Sequence, residues 1–404
     1  MPTLVCQTCC ECGNCVRCCP RQAITLERDA FGNCHAVIDE RLCVDCGLCS
    51  KRCPMQQPAP CAQPVQAYAA VSAAPEASNS TSGGMFFELA NGVLSDGGLV
   101  VGAAYDGEWN IRHIPVRDHK DLALLQGSKY VRSDASAAIP LVRDALIAGT
   151  PVLFCGTPCQ VAALELEIRE PELRQRLITV DLICHGTPPA RIFRDYLAHL
   201  EQKHRGTLTA FRFRDKGYGN KLIGSYSIRK GGQEKKHPLF PAESAYYHLF
   251  LNGLTYTHSC YTCPYAQGQR CSDITIGDFW GWAQEIPSFA ASRGLPADTS
   301  VSAVMVNSAR GAALFERLLP HLLACPVSYE SIQKHNDQLR GPVHVPASLR
   351  KRVAEAYGAE GFAGLMGIHR EMTDLRRYTL RITSMLPTGL KETIKKLLRR
   401  GGGV

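Results

Sequence analysis

Read for hydrophobic periodicity, the chain changes character near residue 62. Before it the apolar runs are short. Ala23-Ile24-Thr25-Leu26 and Ala36-Val37-Ile38 predict two small strands around a turn at Phe31-Gly32-Asn33. After it the runs lengthen. Tyr68-Ala69-Ala70-Val71 predicts a first strand, and Met85-Phe86-Phe87-Glu88-Leu89-Ala90 carries a helical pattern. Residues 99–105 and 111–114 predict a pair of strands. In the centre, Pro151-Val152-Leu153-Phe154-Cys155 reads as a buried strand, and Pro158 suits the first position of a helix whose periodicity runs over 159–169. A second strand over 177–184 ends in His185-Gly186-Thr187-Pro188, and a helix over 190–204 lines up Ile192, Phe193, Tyr196, Leu197 and Leu200. A strand–helix–strand unit of this kind is right-handed, so its strands should run parallel. Cys159 and Cys184 then fall just past the strands' carboxyl ends, on the rim where open α/β sheets bind ligands. Further strands are expected over 273–280 and 302–307, the latter followed by a helix through Ala313, Leu314, Leu318 and Leu322. The pattern predicts an α/β (α+β) domain with a mixed sheet over residues 63–345. A small module precedes it over 1–62, and a helical basic tail follows over 346–404.

Composition narrows the function. A chain of 404 residues can hold two or three domains. No run of about 18 uncharged apolar residues predicts a membrane span. The start, Met1-Pro2-Thr3-Leu4-Val5-Cys6, lacks the regions of a secretory signal, so a cytoplasmic protein is expected. In that compartment the 20 cysteines point to metal ligation rather than disulfides. The net charge of +8 is uneven: 350–404 carries 12 Lys/Arg against 5 Asp/Glu, which leaves little basic surplus elsewhere and no nucleic-acid partner expected. At the end, Leu390, Ile394, Leu397 and Leu398 form a stripe among Lys391, Lys395, Lys396, Arg399 and Arg400. Such a helix suits peripheral contact with an anionic membrane, and equally packing on its own domain or on a partner subunit; a homo-oligomer is a separate expectation.

The cysteines carry the sharpest signal. Cys9-x2-Cys12-x2-Cys15-x3-Cys19-Pro20 and Cys43-x2-Cys46-x2-Cys49-x3-Cys53-Pro54 both fit the bacterial ferredoxin spacing, in which the fourth cysteine of each run crosses to the other cluster. One [4Fe–4S] cluster then takes Cys9, Cys12, Cys15 and Cys53, and the other Cys43, Cys46, Cys49 and Cys19. The competing reading is structural zinc, which normally uses two cysteine pairs. Cys6, Cys10, Cys18 and Cys34 are left as packing or neighbouring thiols. Residues 55–64, rich in proline, suit an extended, semi-rigid spacer. Later, Cys260 and Cys263 could complete four ligands with Cys159 and Cys184. The alternatives are a zinc site, or a two-cysteine site with packing thiols. Cys271 is a further candidate ligand, while Cys155 and Cys325 read as core residues. Ser82-Gly83-Gly84 before a helix can hold a phosphate, or can be a plain cap. By residue type alone, Lys129 and Tyr130 are surface residues. Arg212 and Arg214 alternate with Phe211 and Phe213, as on a solvated strand face or one meeting an anionic ligand.

Taken together, the motifs resemble those of the β-subunit family of coenzyme F420 hydrogenases and dehydrogenases. The resemblance spans about 66–330 and rests on Ser82-Gly83-Gly84, Gly127-Ser128-Lys129-Tyr130, Gly156-Thr157-Pro158-Cys159-Gln160, Asp181-Leu182-Ile183-Cys184-His185-Gly186, Cys260-x2-Cys263 and Asp273-Ile274-Thr275-Ile276-Gly277-Asp278-Phe279-Trp280. It implies a flavin domain holding FAD and a third [4Fe–4S] cluster on Cys159, Cys184, Cys260 and Cys263. It raises Ser82, Gly83, Gly84, Lys129 and Tyr130 as cofactor-binding residues, and His185 and Lys129 as catalytic groups. It implies electron movement between ferredoxin-type clusters and FAD, and on to or from a small organic substrate or deazaflavin. Fused bacterial members resemble parts of surface-polysaccharide pathways. The other reading is an electron-transfer subunit that serves a partner ferredoxin or oxidoreductase.

Overall fold

The structure, a computed structural model, describes residues 8–219, 222–296 and 298–373. Cys6 and the basic stripe from Leu390 to Arg400 lie outside the described residues.

The N-terminal module is built on an antiparallel hairpin of β1 (Ile24–Arg28) and β2 (Cys34–Ile38). Its turn is organised by Asp29, whose Oδ1 accepts hydrogen bonds from the amides of Gly32 and Asn33, both at 2.8 Å. Each cysteine series contains a left-handed glycine, Gly13 at φ 73° and Gly47 at φ 70°. That conformation suits glycine. It turns the chain into the short helices Asn14–Arg17 and Leu48–Lys51, with Cys12 near enough to Cys15, and Cys46 to Cys49, for the charge of one thiolate to act on the other.

The large domain carries a mixed eight-stranded sheet. Its strands are β3 (Gln66–Ser72), β4 (Leu99–Tyr105), β5 (Ile111–Val116), β6 (Val152–Gly156) and β7 (Leu177–Leu182), then β11 (Ile274–Asp278), β12 (Ser302–Val306) and β13 (Leu322–Pro326). The order is β13-β3-β12-β11-β7-β6-β4-β5. The four neighbours β11, β7, β6 and β4 are parallel, and every outer pairing is antiparallel. The parallel pairing of β6 with β7 is the one expected from the strand–helix–strand pattern. All of β6 is buried, as its unbroken apolar run requires.

Helices cover both faces. On one side α1 (Met85–Ser95) packs Met85, Leu89 and Val93 over Val100, Leu153 and Ile274. On the other, α2 (Ala138–Ile147) and α3 (Pro158–Glu167) bury Ile139, Val142, Val161 and Leu164 against Val101, Phe154 and Leu177. A separate antiparallel sheet of β8 (Thr207–Arg212), β9 (Gly224–Lys230) and β10 (Gln233–Leu239) supports an aromatic core with α4 (Ala190–His204) and α5 (Ala245–Leu251). The helices α7 (Ala347–Glu360) and α8 (Phe362–Thr373) close this core, while α6 (Ala309–Leu318) packs Leu314, Phe315 and Leu318 beside α1 on the main sheet. Val353 and Leu365 are fully buried there, so residues 347–373 share the large domain's core instead of extending from it as a tail. No helix among the described residues is long and apolar enough to cross a membrane.

The module is packed against the large domain, and the proline-rich segment is not a free spacer. The Asn14 side chain donates to the Ala163 carbonyl at 2.9 Å, and Arg52 donates to that of Leu166 at 2.7 Å. The Tyr265 hydroxyl donates to the Pro54 carbonyl at 2.7 Å and accepts from the Ala59 amide at 3.2 Å. Ala62 then pairs with Arg270 in an isolated antiparallel bridge. Proline density predicts stiffness. The hydroxyl and the bridge that dock this segment come from residues about 200 positions further along the chain.

Candidate functional site

The site forms where β6, β7 and β11 end. After β6 the chain turns through Thr157, whose backbone amide donates to Gln160 Oε1 at 2.9 Å in a capping box that starts α3. This places Cys159 in the helix's first turn. Its Sγ lies 3.3 Å from Thr157 Oγ1 and 3.5 Å from an Arg132 Nη1 donor, and it hydrogen-bonds with the Cys10 thiol. Those donors hold the Cys159 thiol well below its ordinary pKa, led by Cys10 and supported by Arg132 and Thr157.

Around it stand the three thiols expected as its partners. Cys184 follows β7, and Cys260 and Cys263 lie in and just after the turn His258–Thr262. Cys184 is pushed up by burial first, then by the negative charge of Cys260, Cys159 and Cys263. Burial and the neighbouring Cys159 push Cys263 up to about 12. Cys260 is raised by burial, against the opposing pull of Thr257, whose hydroxyl is 3.2 Å from its sulfur. Thiols that raise one another by charge form one electrostatic unit. Cys271 packs beside this unit, its Sγ 3.8 Å from the Pro158 carbonyl oxygen, while its thiol hydrogen-bonds with Cys61 beside the Ala62–Arg270 bridge. Cys155 is buried in the core and also forms part of a cavity wall, and Cys325 is half-buried on the edge strand β13.

In the module, Cys15 is pushed up to about 12, by burial and then by Cys12, Cys9 and Cys53. Cys19 lines a small hollow with Cys43, Cys46 and Cys49. The fourth cysteine of each run thus lies with the other run. Cys10 hydrogen-bonds with both Cys12 and Cys159, which sets the first series directly against the central thiols. Among the described residues, no three His, Cys, Asp or Glu side chains are placed to hold a metal ion as they stand.

Beside the central thiols a cavity of about 440 Å³ opens at the strand ends. Ser82, Gly84, Lys129, Tyr130 and His185 all line it, along with Gly156 and Thr157. Gly83 lies behind its wall. A Cβ there would stand 2.4 Å from the Ala70 carbonyl oxygen and 2.7 Å from the Ser302 nitrogen. Gly83→Ala should therefore push the Ser82–Gly84 loop off β3 and β12, at a cost of about 1–3 kcal/mol. A thermal-shift measurement showing native stability would contradict that.

Lys129 is half-buried instead of solvated. Its ammonium donates to the carbonyls of Leu125, Gln126 and Gly127 at 3.2, 3.0 and 3.3 Å, and sits 5.7 Å from the Tyr105 ring centroid. Burial lowers its pKa to about 8. Tyr130 is likewise packed, its ring stacked on Phe250 at 4.7 Å. His185 Nδ1 lies 2.5 Å from the Gln338 side-chain amide, which fixes the orientation of the ring. Arg214 departs from the solvated face expected of it. Its side chain is 5% exposed, with Nη1 2.5 Å from Asp278 Oδ2 and the Trp280 ring 5.7 Å away, while Arg212 is exposed. The pattern of β8 is legible locally, but the β11 residues that cover Arg214 come from 64 positions away.

Sequence reasoning passed over Arg132. It is 6% exposed, and its Nε and Nη2 are buried with no hydrogen-bond partner, beside a thiol that favours the thiolate. A guanidinium buried with idle donors is costly unless an anion meets it. The residues present therefore fit a negatively charged group held among Cys159, Cys184, Cys260 and Cys263. The available signal was position: Arg132 follows Tyr130 by two residues in a run already marked by glycine, lysine and tyrosine.

Residues 149–323 match the family described as the C terminus of the coenzyme F420 hydrogenase/dehydrogenase beta subunit, and residues 36–57 match the 4Fe-4S binding domain. The matched stretches are thus similar to the C-terminal part of an F420 hydrogenase/dehydrogenase beta subunit and, ahead of it, to an iron–sulfur domain, and both likenesses are to redox proteins. No curated protein matches the chain. A solved structure described as a xenon derivative of the F420-reducing [NiFe] hydrogenase complex from Methanosarcina barkeri aligns at 17% identity and a TM-score of 0.44, covering 78% of this chain and 95% of that one.

Proposed function

We propose that the chain is an electron-transfer subunit, moving electrons between a partner oxidoreductase or ferredoxin and a flavin through its own iron–sulfur clusters. In this reading Cys9, Cys12, Cys15 and Cys53 hold one [4Fe–4S] cluster, and Cys43, Cys46, Cys49 and Cys19 a second. Cys159, Cys184, Cys260 and Cys263 hold the third, and FAD occupies the cavity. The observation that carries it is a shared wall. Thr157 lines the cavity while its hydroxyl lies 3.3 Å from Cys159 Sγ, and Cys10 ties that same sulfur to the first module series. Module, central thiols and cavity thus form one contiguous path.

The bound groups supply one-electron exchange at the clusters and one- or two-electron exchange at the flavin. The chain's residues do the rest. Gly84, at φ 90°, opens the N-terminus of α1 toward the cavity, where unpaired amides suit a phosphate. Tyr130 offers an aromatic surface, and Lys129 brings a cation to the wall. His185, its ring oriented by Gln338, can pass a proton at the cavity wall. A second reading, turnover of a small organic substrate or deazaflavin by the chain alone, draws support from the exposed His185 and Trp280 where they line the cavity. Substrate turnover by the isolated chain, against turnover only with a redox partner present, separates the two.

Lys129 gives the cavity a pH dependence. Its amine loses the proton as pH rises through about 8, so affinity for an anionic flavin should fall across that range. Lys129→Met should weaken binding at pH 7 and flatten the profile. Flavin titrations from about pH 6.5 to about pH 9, bracketing that value, check this, and parallel profiles for both proteins would contradict it.

A further inference from the structure

We propose that Arg132 is a positioning and charge-balancing residue for the central cluster, raising its reduction potential and linking it to the module. The inference rests on the assignment of a cluster to Cys159, Cys184, Cys260 and Cys263. Arg132 sits at the seam between the two domains. Its backbone amide donates to the Pro188 carbonyl at 2.9 Å, just beyond Cys184, and its Nη1 reaches Cys159 Sγ at 3.5 Å. The charges of Cys159, Glu11, Cys10 and Cys260 all act on its guanidinium, so it is placed against both sides of the seam. Glu11 makes no hydrogen bond to it: one carboxylate oxygen is bridged by Arg28 at 2.6 Å, and the other is buried with no hydrogen-bond partner. Two buried donors, Nε and Nη2, stay idle.

One-electron reduction of a [4Fe–4S] cluster adds one negative charge and releases no atom. A fixed cation at close range in a dry site stabilises that added charge, and hydrogen bonds to ligand sulfurs act in the same direction. Arginine is suited to the place because it keeps its charge when buried. Its removal should therefore make the central cluster harder to reduce.

The test uses the full chain loaded with its clusters, titrated anaerobically with dithionite and followed by electron paramagnetic resonance. The signal absent from Cys159→Ala identifies the central cluster. For Arg132→Gln, the ratio of reduced to oxidised central cluster at a fixed potential should fall about tenfold, which is about 59 mV for one electron. Arg132→Lys, which keeps the charge, should lie close to the native midpoint. An unchanged midpoint in Arg132→Gln overturns the proposal. So does loss of the cluster from both variants alike, since that marks a packing role. Loss of the cluster from Arg132→Gln alone supports the proposal. If Cys159→Ala itself retains every iron, the cluster assignment fails, separately from the claim about Arg132.

Discussion

Replacing Cys159 with alanine should remove about four of about twelve irons per chain and uncouple ferredoxin-type donors from the flavin. In the proposed path that sulfur is where the module, the central thiols and the cavity wall meet. Cys10 from the module, Arg132 from the loop after β5 and Thr157 from the cavity wall all contact it. The flavin itself should remain, since Cys159 does not line the cavity. The variant should thus bind FAD, keep the module's irons and fail to reduce the flavin from a one-electron donor. Full iron content with native flavin reduction would remove Cys159 from the ligand set.

The second large effect concerns the ion pair beneath the rim. Arg270 and Asp181 meet at 2.7 Å with side chains 2% and 0% exposed. Arg270 also donates to the carbonyls of Tyr265, Gln267 and Leu182, and its backbone pairs with Ala62. Removing one partner leaves the other charge buried, so Asp181→Ala should destabilise the protein by about 3–5 kcal/mol. The effect should be local as well as global. With Arg270 unanchored, the segment 55–64 loses its bridge, and limited proteolysis should cut there faster than in the native chain. The double variant Asp181→Leu with Arg270→Met should recover much of the loss, because neither charge then stays buried. Native stability in Asp181→Ala would show the pair to be unimportant.

How far the sequence reads depends on whether a signal is local. The parallel pair β6 and β7, the hairpin β4–β5 and the helix over 190–204 follow from periodicity and caps within about 30 residues. The crossed grouping of Cys19 and Cys53 is also visible in spacing, because ferredoxin loops impose it. What could not be read needed distant partners. The module's docking depends on Tyr265 and Arg270, and the burial of Arg214 on Asp278 and Trp280. The helices over 347–373 looked like tail because their burial depends on the aromatic core of Phe193, Tyr196, Tyr246 and Phe250. Lys129 looked like a surface residue because the three carbonyls that hold it belong to the end of a one-turn helix, Leu122–Leu125, and the residues after it.

In the proposed reading one chain holds three clusters and a flavin in series. This reading is tested most directly by purifying the full chain anaerobically and measuring iron, sulfide and flavin per chain. The expected result is about twelve irons, as many sulfides and one FAD. About eight irons with full flavin would contradict the central cluster, and zinc in place of iron would contradict the whole electron path.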